Sequence, residues 1–167
     1  MAPEPEILFL QRLALTVAST ATMNDLVRLV IAETTEALAT DVCSVYLIDP
    51  DDGRLVLAAT NGLLQEAVGR VRLALGEGVT GWAAEDRRPA VVADVRAEPR
   101  FRWLDDVDQT RFVSMCSVPI AAGDRLVGVL NVQTERRREF SGADVAFLSA
   151  IAAQVAGVLA RAEHRSA

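Results

Sequence analysis

Hydrophobic positions follow two rhythms along this chain, helical at both ends and strand-like between them. In residues 5–20, PEILFLQRLALTVAST, Ile7, Leu10, Leu13 and Val17 recur at helical spacing. Leu8, Phe9 and Leu15 widen that apolar surface, so the first helix is expected to meet a partner as well as its own core. A second helix follows, capped by Thr22 or Asn24, with Leu26, Val27, Val30, Ile31 and Leu38 on its buried face. The pattern then turns β-branched and aromatic. DVCSVYLID and RLVLAAT, joined by the turn-forming PDDG, predict a hairpin. VRLAL and RPAVVAD read as two weaker strands, and FVSMCSVPI with DRLVGVLNVQT, joined by AAGD, as a second hairpin. The closing stretch, FSGADVAFLSAIAAQVAGVLARAEHR, predicts a long helix. Ser141 and Asp144 form a capping-box-like pair there, and Leu148, Ile151 or Ala152, Val155 and Leu159 repeat at coiled-coil-like spacing. Hairpins bracketed by helices predict an α+β fold, a central antiparallel β-sheet flanked by N- and C-terminal helices.

Composition narrows the chemistry. A chain of 167 residues with 51% apolar content is one domain with ample material for a core. Arg12, Glu33 and Asp86 interrupt the longest apolar stretches, so no membrane span is expected, and the acidic start MAPEPEILFL does not read as a signal peptide. A cytoplasmic protein is expected. The net charge of −6 disfavours a nucleic-acid footprint, which needs positive charge gathered on one face. All 17 basic residues are arginine, so Schiff-base chemistry and a phosphate-loop lysine are excluded. The sole histidine, His164, stands near the C-terminus, which rules out histidine triads and histidine-rich metal or haem sites in the core. Cys43 and Cys116 each lie inside an apolar run and read as small buried hydrophobes, with a redox or ligand-touching role as the alternative. No metal and no cofactor is expected.

One motif tests this picture. Gly76, Gly78 and Gly81 in GEGVTGW spell G-x-G-x-x-G after a strand-like VRLAL, with Asp94 further on, as in a dinucleotide-binding turn. That turn works only inside a βαβ unit, whose crossover takes a dozen residues or more. Here the helix runs from Trp82 to about Asp86 before Arg87, Arg88 and Pro89 end it. The glycines are therefore expected to shape a tight turn into a short helix, with Gly81 letting that helix approach the sheet closely.

The run GEGVTGWAAEDRRPAVVADVRAEPRF, followed by SMCSVPI, DRLVGVLNVQT and REFSGADVAFLSAIAAQVA, resembles a GAF domain, a PAS-like sensory module, over residues 26–159. The resemblance implies a 1–22 dimerisation helix, a 23–163 GAF domain and a 164–167 tail. Against the cyclic-nucleotide signature of that family, Asn131, Phe140 and Asp144 match, but Val132 and Val145 replace its lysine and glutamate, so the Lys–Asp contact is lost. Haem members need an axial histidine, and bilin members a cysteine setting that Cys43 and Cys116 do not reproduce. The family's free methionine sulfoxide reductases carry a cysteine where Thr80 stands, and Cys116 alone cannot both attack and resolve. The style is that of regulatory GAF domains in nitrogen-related phosphotransferase enzyme I, bacterial transcriptional regulators and signalling kinases.

The resemblance puts a ligand between the sheet and residues 80–112, which hold Trp82, Trp103, Phe101 and Phe112 with Arg100, Arg102 and Arg111. The expected ligand-binding set is Tyr46, Thr80, Trp82, Arg100, Phe101, Trp103, Phe112 and Cys116, and the arginines suit an anionic small molecule. The alternative is a filled core, with Asp105, Asp106 and Asp108 neutralising the arginines on the surface. Arg136, Arg137 and Arg138 read as a solvated charge run, with a docking patch as the alternative. The leading expectation is a non-catalytic sensory module that is a homodimer through its terminal helices and acts on an output domain or protein partner. A ligand-free interaction module and a reductase acting through Cys116 are the alternatives.

Overall fold

The computed structural model describes residues 4–19, 22–104 and 109–165. Two helices, α1 (Pro5–Ser19) and α2 (Met23–Leu38), lead into the hairpin β1 (Val42–Ile48) and β2 (Leu55–Asn61). The middle of the chain holds β3 (Arg72–Leu73), α3 (Gly78–Asp86) and β4 (Ala90–Val92), with a 3₁₀ turn before β3 and two more after β4. The second hairpin, β5 (Ser114–Ala122) and β6 (Arg125–Thr134), precedes α4 (Gly142–Arg165). All six strands join one antiparallel sheet in the order β3-β2-β1-β6-β5-β4. The expected α+β architecture is present.

Local chemistry sets the helix ends. Thr22 is the N-cap of α2: its hydroxyl accepts from the Asp25 amide at 3.1 Å and donates to the Asp25 carboxylate at 2.6 Å. Ser141 and Asp144 form the reciprocal pair at the start of α4, at 2.9 and 3.1 Å. Neighbouring carbonyls are thus left fewer orphan donors to satisfy at both helix starts.

The sheet separates two cores. One face, through Cys43, Val45, Cys116, Val118, Ile120 and Leu130, packs on α1, α2 and α4. Phe9 of α1 meets Phe147 of α4 edge-on, with ring centroids 5.3 Å apart. The other face lies under α3 and its flanking segments, in two clusters around Tyr46, Leu57 and Phe112 and around Val79, Ala83 and Met115. One sequence expectation needs correction here. Residues 142–161 of α4 are long and apolar enough by composition to cross a membrane. Leu148, Ile151, Val155 and Leu159 spend that apolarity on the sheet and the other terminal helices, since each is fully buried.

The edge strands β3 and β4 lie at opposite sides of the sheet, and α3 connects them across its face. Among the described residues every strand pair is antiparallel, so the glycine motif's dinucleotide reading has no βαβ frame. Gly76 and Gly78 adopt φ of +84° and +68°, values that suit residues without a Cβ. Gly81 differs from its expected role: a Cβ there would meet the Ala74 carbonyl at 2.5 Å, so it packs on the preceding turn instead of the sheet. The Gly76 amide donates to the Gly81 carbonyl at 2.8 Å, which locks turn and helix into one unit.

Candidate functional site

That turn delivers Thr80 to the centre of the sheet. Asn131 of β6 donates its side-chain Nδ2 to Thr80 Oγ1 at 2.7 Å, tying α3 to the middle strand. Asn131 is not isolated. It stands opposite Ser44 of β1 on one side and Ser117 of β5 on the other, and Ser44 stands opposite Thr60 of β2. Cross-strand partners share a face, so Thr60, Ser44, Asn131 and Ser117 form a polar row under α3. All four are buried. Ser44 and Thr60 satisfy each other at 2.8 Å, but Asn131 Oδ1 and Ser117 Oγ are buried with no hydrogen-bond partner among the described residues. Such atoms cost free energy until something fills them.

A cavity of about 20 Å³ opens beside this row, which is room for a single water. Its walls include Tyr46, Leu73, Val79, Thr80, Phe101, Leu104, Gln109, Met115, Asn131 and Gln133. Burial holds the Tyr46 phenol well above its ordinary range, so the ring lines the cavity as a neutral group. Gln109 is engaged, accepting from the Leu104 amide at 2.7 Å, which fixes the outer wall against the first turn of the 109–111 segment.

The expected site residues separate in space. Tyr46, Thr80 and Phe101 line the cavity. Trp82 is half-buried one turn along α3, with the Arg100 guanidinium 4.5 Å above its ring. Arg100 in turn grips both oxygens of Glu98, at 2.6 and 3.2 Å, which lowers the Glu98 carboxyl below its usual range and occupies the arginine. Phe112 packs in the Tyr46 cluster beneath Arg111, which pairs with Glu135. Trp103 stacks edge-on to Phe101 at 4.8 Å but is 48% exposed. It faces a larger outer groove of about 680 Å³ beyond β3, with Leu64, Arg70 and Arg72. That groove is larger than the cavity, yet its Arg72 is held by Asp49 and Asp52 and its Arg102 by Glu77. Asp105, Asp106 and Asp108, the expected neutralising acids, lie outside the described residues, as does the Val17 side chain.

Cys116 is the clear displacement. It points to the helices on the opposite face of the sheet, as does Cys43, so neither touches the cavity. Alternation along β5 explains this: Met115 and Ser117 face α3, which turns Cys116 away. Burial, reinforced by the Asp144 charge and partly offset by Arg138, pushes the Cys116 thiol up to about 12. Cys43 is raised as well, by burial. Thiols so placed are poor thiolates and poor nucleophiles. The Asp144 carboxylate, which in the cyclic-nucleotide signature meets a lysine, here pairs with Arg138 at 3.2 Å on the helix side.

Sequence reasoning passed over Ser44, Ser117, Gln109 and Gln133, and took Asn131 only as a signature match. The available signal was the spacing of Asn131 and Gln133 two apart in the apolar run VLNVQ. Such alternation reads as a wet face when nothing predicts the α3 cover.

Comparisons with known proteins agree with this architecture. Residues 20–160 match the family model described as GAF domain. A relative named phosphoenolpyruvate-dependent phosphotransferase system, from Escherichia coli (strain K12), is 32% identical over 88% of this chain and 20% of its own length. The Nif-specific regulatory protein of Azospirillum lipoferum is 36% identical over 65% of this chain and 18% of its own. The chain thus spans about a fifth of the length of these curated relatives. Among solved structures, the GAF domain of an Acinetobacter phosphoenolpyruvate-protein phosphotransferase superposes with TM-score 0.88 at 28% identity, covering 99% of both chains. A free methionine-R-sulfoxide reductase from Neisseria meningitidis shares the fold, with TM-score 0.82 at 24% identity over 99% of this chain and 96% of its own. With the family model spanning residues 20–160, most of its length, this chain belongs to the GAF domain family.

Proposed function

We propose that the chain is a non-catalytic sensory module in which a small molecule, seated between α3 and the sheet, acts through the terminal helices. The observation that carries this reading is the cavity under α3 with an unsatisfied Asn131 Oδ1 beside it. A buried acceptor without a partner lowers stability unless it is kept for something that binds there. The output is an attached domain or a partner protein, a role supported by the much greater length of the regulatory and phosphotransferase relatives. The module works as a homodimer joined through α1 and α4. Ile7, Leu8 and Leu15 support this: they leave apolar surface on α1 at 48, 44 and 74% exposure.

Thermal unfolding across a panel of uncharged and charged metabolites tests the sensory reading. A ligand held at a hundred times its dissociation constant adds about 2.7 kcal/mol to the native state, a shift of several degrees. No shift with any compound would leave a ligand-free interaction module, which the small volume of the cavity otherwise favours. The reductase reading finds no support in the site, because both thiols lie on the far face of the sheet with raised pKa values.

A further inference from the structure

We infer that the cavity under α3 takes an uncharged, amide-like ligand, carrying a donor and an acceptor side by side, and not an anion. This rests on the sensory reading and adds the class of molecule that is sensed. The arginines that made an anion attractive in the sequence are committed elsewhere. The Arg100 guanidinium is held by both oxygens of Glu98 and lies over the face of Trp82. Arg102, the sole charged residue on the cavity wall among the described residues, pairs with Glu77, which also accepts from the Ala74 amide at 2.7 Å. The remaining polar lining is neutral: Tyr46, Thr80, Gln109, Asn131 and Gln133. A carboxylate or phosphate brought to this place would lose its water and find no free counter-charge, the costliest kind of burial.

The open atom says what is wanted. Asn131 spends one end of its amide on Thr80 and leaves the other end unpaired. As drawn, the open end is the carbonyl, which calls for an N–H or O–H donor. With the amide turned over, the open end is the NH₂, which calls for an acceptor. A primary amide supplies both on one planar group and so satisfies either orientation. Leu73, Leu104, Phe101 and Met115 offer an apolar surround for a short carbon tail. A molecule larger than a water enters by displacing the outer wall at Phe101 and Leu104, which are only half-buried, while the sheet stays in place.

Propionamide and propionate have nearly the same shape and differ in charge, so the two separate the possibilities on the unaltered full chain. Each is titrated into ¹⁵N-labelled protein while the backbone amides of Thr80, Met115 and Asn131 are followed. Saturable shifts at these amides with propionamide, and binding at least tenfold weaker with propionate, are expected. Asn131→Leu, which removes the unpaired atom but keeps the bulk, is expected to abolish the propionamide response at Thr80 and Met115. Propionate binding as tightly as propionamide would overturn the ligand class and leave the sensory reading standing. A wild-type chain whose Thr80, Met115 and Asn131 amides give no saturable shift with propionamide overturns the inference, whatever the metabolite panel shows. An Asn131→Leu variant that responds like wild type also overturns it.

Discussion

Arg138 touches three separate elements at once. Its guanidinium donates to the Leu38 carbonyl at the end of α2 at 2.5 Å, pairs with Asp144 at the start of α4 at 3.2 Å and lies 4.8 Å over the Phe140 ring. Its backbone amide donates to Ser114 Oγ at 2.8 Å, and that hydroxyl donates to the Ala93 carbonyl beside β4. One residue therefore joins the ends of both long helices to the edge of the α3 face. Its neighbours in sequence, Arg136 and Arg137, are largely exposed, so the charge run predicted for a solvated loop holds for them and fails for Arg138. Hydrogen bonds from a charged donor contribute about 1.5–3 kcal/mol each when partly buried. Arg138→Met is expected to lower unfolding free energy by about 2 kcal/mol in chemical denaturation. A loss under about 0.5 kcal/mol would show the contacts to be surface pairs of little weight.

At the scale of elements, the hairpins and the caps were legible because they rest on local chemistry. PDDG, AAGD, Thr22 and the Ser141–Asp144 pair each act within four residues, and each does so in the fold. What faces what was harder to read. The strand VCSVYLI has residues buried on both faces, so alternation of apolar and polar positions cannot tell the helix side from the α3 side. The strand SMCSVPIAA is buried on both faces in the same way, so its sequence leaves open that Cys116 faces the ligand, whereas the pleat turns it to the helices. Trp103 is a rare aromatic in this sequence, yet it lines the outer groove while Phe101 and Leu104 on either side of it line the cavity. The helix α1 was legible in a different way: its surplus of apolar residues persists as the exposed Ile7, Leu8 and Leu15. Light-scattering mass at micromolar concentration is expected to give a dimer for the full chain and a monomer once residues 1–20 are removed. A truncated chain that stays dimeric would contradict the assigned role of α1.

Across the whole molecule, the sheet is a partition with different tasks on its two sides. The helix side is almost wholly apolar, with Leu26, Ile120, Leu130, Leu148 and Ile151 fully buried, and it fixes the terminal helices relative to one another. The α3 side carries the neutral polar row, the cavity and a cover that packs on the sheet through Val79, Ala83 and Ala84 and is tied to it by the Asn131–Thr80 bond. Because Ser44, Ser117 and Asn131 sit on strands whose alternate residues pack on the helices, a ligand that moves α3 against the row bears on strands that hold α2 and α4. Coupling of this kind needs two arrangements of the same packed parts, biased by what binds.

Hydrogen exchange measured by mass spectrometry on the full chain, with saturating propionamide and with propionate at the same concentration, tests that coupling most directly. Slower exchange is predicted with propionamide in peptides holding Thr80 and Asn131, together with altered exchange in α1 and α4, and no such change is predicted with propionate. Protection confined to α3 and β6, with α1 and α4 unchanged, would contradict a module that signals through its terminal helices.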